Sequence, residues 1–467
     1  MRAKVIFSLS LLIPFALLFI YVWTTATDLV FRDDMYLIKG GLIESYLNGT
    51  LSFADLWRPS DGQRFLGYNL LMLANIKWFS MNCRISALLI PFCIMASAIL
   101  IYRDYRKSLY PEHSPEFIAA TFLVLTFIIF NVIQWEGLIF GYALSYQSSM
   151  PFFIASFLSL EFFLLKGDYK YLPTALILTA LAILLFSGKI YIVFIPVLAS
   201  TFLCYVLTRR SSLTKYFWLR ALLISAFLMF IAFLYVFRIN HNDYAYASKH
   251  VFFAAEIFAN PLEALRFLFA AFGASFVGVD AFFACTYFSF DAIVLLGLML
   301  VLLYVLALIL FFRSRMYERT YLPFYLIMQT FFYFGFMIFI RFGLGVDYGM
   351  ASRYTYISIF GLAAMFWIFI FILARPVKPN VLLKGAIFTG FAVIIAGLLL
   401  TSMIVWRIQP DRKAYLAQLL GIAMRVDTAT DEELLKFTER PEQVRASLRL
   451  LRAYKLNAYR ANTVDGK

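Results

Sequence analysis

Charge is what this chain has little of. Only 15% of its 467 residues are Asp, Glu, Lys or Arg, against 63% apolar and a mean hydropathy of +0.81. A water-soluble domain carries about a quarter charged residues, so this shortage excludes an ordinary soluble fold. Cysteine is scarce as well. Cys83, Cys93, Cys204 and Cys285 are scattered with no paired spacing, which excludes a disulfide framework or a metal knuckle and leaves them as small packing residues. His241 and His250, with Asp243 between them, lack the spacing of a metal site. There is no P-loop, Gly-rich dinucleotide turn or nucleophile elbow. That argues against ATP- or nucleotide-sugar-driven chemistry of the cytoplasmic kind. Internal repeats and low-complexity tracts are also missing.

What the chain does have is long apolar runs. They cover 5–25, 85–102, 117–133, 148–165, 172–187, 189–207, 219–237, 292–312, 321–340, 357–374 and 385–406, each near the ~20 residues that cross hydrocarbon as a helix. Lipid gives exposed backbone groups no partner. The expected fold is therefore an all-α integral membrane protein of about 11 transmembrane helices. The first run follows Arg2 and Lys4 but is long and lacks a small-x-small cleavage site, so it reads as a retained span. The net charge of +14 lies mainly in short loops: 103–116, 166–171, 208–218, 313–320 and 375–384 carry Lys or Arg, and 134–147 has neither. That bias puts the amino terminus in the cytoplasm and the charged tail on the opposite side. It is a topology signal and not a nucleic-acid face.

Two outside segments are long, 26–84 and 238–291. The second contains Asn260-Pro261-Leu262-Glu263, a helix start with Asn as cap and Pro first. The helix it opens, to about Val277, is expected along the membrane surface. The polytopic domain spans 1–406, and 407–467 has the composition of a soluble helical tail. Thr430-Asp431-Glu432-Glu433 forms a capping box, and Pro441 opens a helix with Val444, Leu448, Leu451 and Tyr454 on one face. The tail is too small for a large core and is expected to pack against the outer loops.

Chemistry concentrates in the outside segments. Phe31-Arg32-Asp33-Asp34-Met35-Tyr36 puts two adjacent carboxylates just beyond the first span. One of them serves as a cap for a helix through Tyr36–Leu47, as a general base, or as both. Downstream, Arg58 and Arg64 offer a guanidinium for a lipid phosphate, or a snorkelling interfacial cation, and Trp57 reads as an acceptor or sugar contact. A third cluster holds Arg341, Asp347 and Ser352-Arg353-Tyr354-Thr355-Tyr356. Its two arginines break the positive-inside trend, a local departure that flags function. Lys189 reads either as part of a phosphate site or as an interfacial lysine. Trp135, Glu136 and Gln147 read as sugar contacts, Trp135 equally as an aromatic-belt residue. Asn48-Gly49-Thr50 matches the N-glycosylation pattern, relevant only in a glycosylating secretory pathway.

The acidic pair, Leu56-Trp57 with Gln63-Arg64, the second outside loop and Ser352-Arg353-Tyr354 together resemble bacterial GT-C-type membrane glycosyltransferases. More narrowly, the chain is similar to the phage-borne and chromosomal O-antigen glucosyltransferases that modify lipopolysaccharide serotype. Pro441-Glu442-Gln443-Val444-Arg445 with Leu451-Arg452 resembles a recurrent ending of such proteins. The resemblance implies a multi-pass inner-membrane enzyme, inverting and free of metal or other cofactor. It would transfer a sugar such as glucose from an undecaprenyl-phosphate carrier to a glycan acceptor on the periplasmic side. Asp33 or Asp34 would be the base, and Arg64, Arg341, Arg353 and Tyr354 donor contacts. A donor-making synthase and a flippase would be its partners. Family members often carry an acidic residue or His before the first-loop Arg, where this chain has Gly62-Gln63-Arg64. The rival readings are a lipid-linked glycan flippase and an O-antigen polymerase or ligase.

Overall fold

The computed structural model describes residues 2–58, 64–166, 168–186, 191–208, 215–236, 253–284, 289–375 and 381–460. Among them there is no strand. Among the described residues the apolar runs lie largely in helices, running from Arg2–Thr25 through Cys83–Leu109 and Pro115–Ile129 to Val381–Arg407. Seven helical stretches are long and apolar enough to cross a membrane, and Tyr171–Leu185, Val193–Thr208 and Ala221–Leu234 are shorter. The chain is thus an all-α, multi-pass membrane protein. Helix starts follow local chemistry. Asn82 accepts from the N–H groups of Arg84 and Ile85, Ser289 from Ala292, and Ser114 from Phe117 beside Pro115.

One helix is the hub. The Ser352–Leu373 span is 94% buried, against 33% for Arg2–Thr25 and 28% for Val381–Arg407, so the outer helices face lipid on most of their surface. Helix Thr355–Leu373 packs against Leu322–Arg341, Pro115–Ile129 and Phe290–Arg313. Its buried Trp367 donates to Ser108 Oγ at 2.9 Å.

The Pro261 helix ends at Gly273, short of Val277, and crosses Phe290–Arg313 in close backbone contact. A Cβ on Gly297 would collide with the Phe269 carbonyl, and one on Gly273 with that of Ile293. Paired small residues permit this approach. Asn260 occupies the cap position, but its side-chain amide donates to Glu256 O instead of capping.

Segments 26–58, 64–84, 131–148, 342–354 and 408–460 meet at one end of the bundle. At the other end Arg319 Nη1 donates to Ser108 O at 2.7 Å and Lys107 pairs with Glu161 at 3.0 Å.

Candidate functional site

The acidic pair sits in a short 3₁₀ turn, Arg32–Leu37, whose start carries no side-chain cap. The cap position of this turn is Phe31 and that of the next helix is Gly41, and the helix expected over Tyr36–Leu47 is broken. Gly40 takes φ +70, and a Cβ on Gly41 would lie 2.7 Å from Leu37 O, so the next helix begins only at Leu42. Arg32 itself holds φ +53, an uncommon conformation for a residue with a side chain.

This turn separates the pair. Asp33 is exposed and Asp34 is buried. Asp34 Oδ1 accepts from the Tyr68 hydroxyl at 2.6 Å. Burial pushes its pKa up to about 7, the Tyr68 bond opposing and the neighbouring Asp33 charge adding to the rise. Burial thus favours the protonated form of Asp34, while its neighbour faces outward.

Glu136 joins the loops. It starts the short Glu136–Ile139 helix and accepts from Arg32 Nη1 at 3.0 Å, Ser352 Oγ at 3.0 Å and Arg353 N at 3.3 Å. Arg353 Nη1 lies 3.9 Å from the same carboxylate. Burial alone would raise its pKa, but the charges of Arg353 and Arg32 and these hydrogen bonds outweigh it and lower the value. Glu136 is thus a fixed, ionised, nearly buried carboxylate.

Arg353 lies over the rings of Tyr348, 5.3 Å, and Tyr354, 5.2 Å, and donates to the Tyr348 hydroxyl. Arg341 closes helix Leu322–Arg341, and its charge acts with that of Arg353 on Tyr333, Tyr348 and Tyr354. The Tyr146 hydroxyl feels Asp33, Glu136 and Arg353 together. Acidic and guanidinium groups from three separate segments thus share one neighbourhood.

The other expected contacts sit around it. Arg64 is buried in the first loop, stacks on Trp57 at 4.9 Å and donates to the Trp57 carbonyl. One face of Trp57 is therefore covered by a cation. Trp135 is covered likewise, with Arg412 3.8 Å above its ring. Gln147 is buried, its amide donating to Gln134 Oε1 at 2.9 Å, and among the described residues Gln147 Oε1 has no hydrogen-bond partner. Lys189 lies outside the described residues, as do His241, Asp243 and His250.

Sequence reasoning missed Tyr68, the Arg32 side chain, Tyr146 and Arg412. Only Arg32 had a local signal, its place beside the acidic pair. Among the described residues no group of three His, Cys, Asp or Glu is placed to hold a metal ion. Compared with known proteins, the chain matches no family model, no curated protein and no solved structure.

Proposed function

We propose that the chain is an inverting, metal-independent glycosyltransferase. It takes a hexose from a polyprenyl-phosphate carrier and adds it to a surface glycan such as lipopolysaccharide O-antigen. The fold would be GT-C-like with about eleven spans, and the reaction would run on the periplasmic side of a bacterial inner membrane. The observation that carries this reading is the Arg32–Glu136–Ser352–Arg353 junction, which joins the acidic turn to Arg353.

Within this reading Asp33 is the base. It takes the proton of the acceptor hydroxyl as that oxygen bonds the anomeric carbon. The bond from anomeric carbon to phosphate oxygen breaks, and the lipid phosphate leaves with the electron pair. Arg353 and Arg341 hold that phosphate, with Tyr354 beside it. A partly dry site strengthens such contacts. Asp34, buried and bonded to Tyr68, orients the turn. Glu136 is already engaged by three donors and keeps Arg353 in place.

The test is transfer from a synthetic polyprenyl-phosphate glucose to an O-antigen oligosaccharide by the purified protein. A product one hexose heavier supports the reading. Intact donor and acceptor after incubation overturn it.

One observation favours a flippase instead: the buried carboxylates of Asp104 and Glu161 share Lys107 at the far end of the bundle, and buried ionisable groups between spans often mark transport paths. Movement of the lipid-linked sugar across vesicles without glycan modification would select that reading.

A further inference from the structure

The segment after the last long helix is bound to the acidic turn on both flanks. Before it, Asn457 Oδ1 accepts from Val30 N at 3.1 Å, and its amide donates to Asp28 Oδ1 at 3.0 Å and Met81 O at 2.9 Å. Arg460 pairs with the same Asp28. Within it, the hydroxyls of Tyr36 and Thr438 meet at 2.9 Å, and after it Lys39 N donates to Ser447 Oγ at 3.4 Å. Phe437 lies edge-on to Phe31 at 6.4 Å.

A second bond reaches the Glu136 turn. Arg412, in the Gln409–Met424 helix, covers Trp135, pairs with Asp280 at 2.7 Å and donates to the Tyr21 hydroxyl at 2.8 Å.

A six-residue 3₁₀ turn without a side-chain cap has little of its own to fix Asp33, since single helical turns are marginal alone. The Arg32–Glu136 and Asp34–Tyr68 bonds hold the turn from one side, and the tail holds it from the other. Asn457 is 1% exposed and sits at φ +53, which Asn tolerates better than most side chains. Its backbone N–H donates to Ser80 O at 2.8 Å. A residue this buried, with its amide shared among the segments around 28–30 and 81–83, fixes geometry.

We infer that residues 408–460 form a positioning strap of the site, with Asn457 as the residue that sets the Asp33 turn. Its catalytic consequence rests on the glycosyltransferase reading, while its geometry does not.

The experiment uses the full chain in lipid nanodiscs and compares wild type with Asn457→Gly, Thr438→Val and Arg449→Ala. Asn457→Gly keeps the left-handed backbone and deletes the amide. Thr438→Val removes one peripheral bond and decides the matter if Asn457→Gly does not fold. Arg449→Ala is the control, touching only the exposed Asp427 pair. Amide hydrogen exchange over 28–39 is expected to speed about tenfold in Asn457→Gly, less in Thr438→Val and not in the control, the long helices being unchanged. With polyprenyl-phosphate glucose as donor, kcat falls on the order of a hundredfold in Asn457→Gly while KM moves less than about threefold. Unchanged exchange over 28–39 in both tail variants overturns the strap. Faster exchange with unchanged kcat overturns the positioning role. If wild type transfers no sugar, the glycosyltransferase reading falls, and exchange alone decides the strap.

Discussion

Arg32 and Glu136 meet at 3.0 Å although 104 positions separate them. The contact fastens the first outside segment to the second, and Glu136 carries the link on to Ser352 and Arg353. A base and a phosphate clamp working on one bond need such a junction, because each must be held near its productive place.

The two adjacent carboxylates are predicted to behave differently. Asp33→Asn removes the exposed base and lowers kcat by about 10²–10⁴-fold with little change in donor KM. Asp34→Asn keeps a partner for Tyr68 and costs less activity. Steady-state kinetics of the two variants at equal membrane abundance check this. A larger loss at Asp34 would reverse the assignment.

Asp34 also gives stability a pH dependence. Its folded pKa is about 7, against about 3.9 in an unfolded chain. A raised carboxyl contributes stability below the unfolded value and loses that contribution as pH climbs to the folded one, at up to about 1.4 kcal/mol per pH unit. Asp34→Asn should therefore gain on wild type between about pH 4 and 7. Tm of both proteins across that window reads the effect, and a constant gap would contradict it.

Glu136→Gln keeps the shape of the junction and removes its charge. Arg353, whose side chain is 29% exposed, then loses its carboxylate, and the cost is about 1–3 kcal/mol. The expected outcome is a lower Tm together with a raised donor KM. The Glu136→Gln, Arg353→Gln pair in a double-mutant cycle should show the two losses falling short of additive.

Much of the helical scaffold was legible in the sequence, because hydrocarbon forces any long apolar run into a helix. The site was legible only in its charged residues. Asp33, Asp34, Glu136, Arg341 and Arg353 stood out because charge is scarce near spans. Their partners did not. Tyr68 faces Asp34 through tertiary packing alone, and Arg412 reaches Trp135 from beyond the last span. The Tyr36–Leu47 helix failed on Gly40, whose left-handed backbone a propensity argument passes over. Trp57 and Trp135 were read as sugar platforms, whereas each carries a guanidinium on one face.

Close crossing at Gly297 makes a packing prediction. Gly297→Val drives a side chain into the Phe269 carbonyl and should cost about 1–3 kcal/mol. Gly421→Ala, in an exposed helical position with open space around it, should gain about 0.5–1 kcal/mol. Thermal unfolding in one detergent compares them. Equal effects at the two sites would contradict the close contact.

The most direct measurement is a mass spectrum of the surface glycan from cells carrying wild type, Asp33→Asn or no copy of the gene. One added hexose per repeat with wild type, absent in both other strains at equal protein abundance, is the predicted result. A glycan still carrying that hexose with Asp33→Asn would contradict the account.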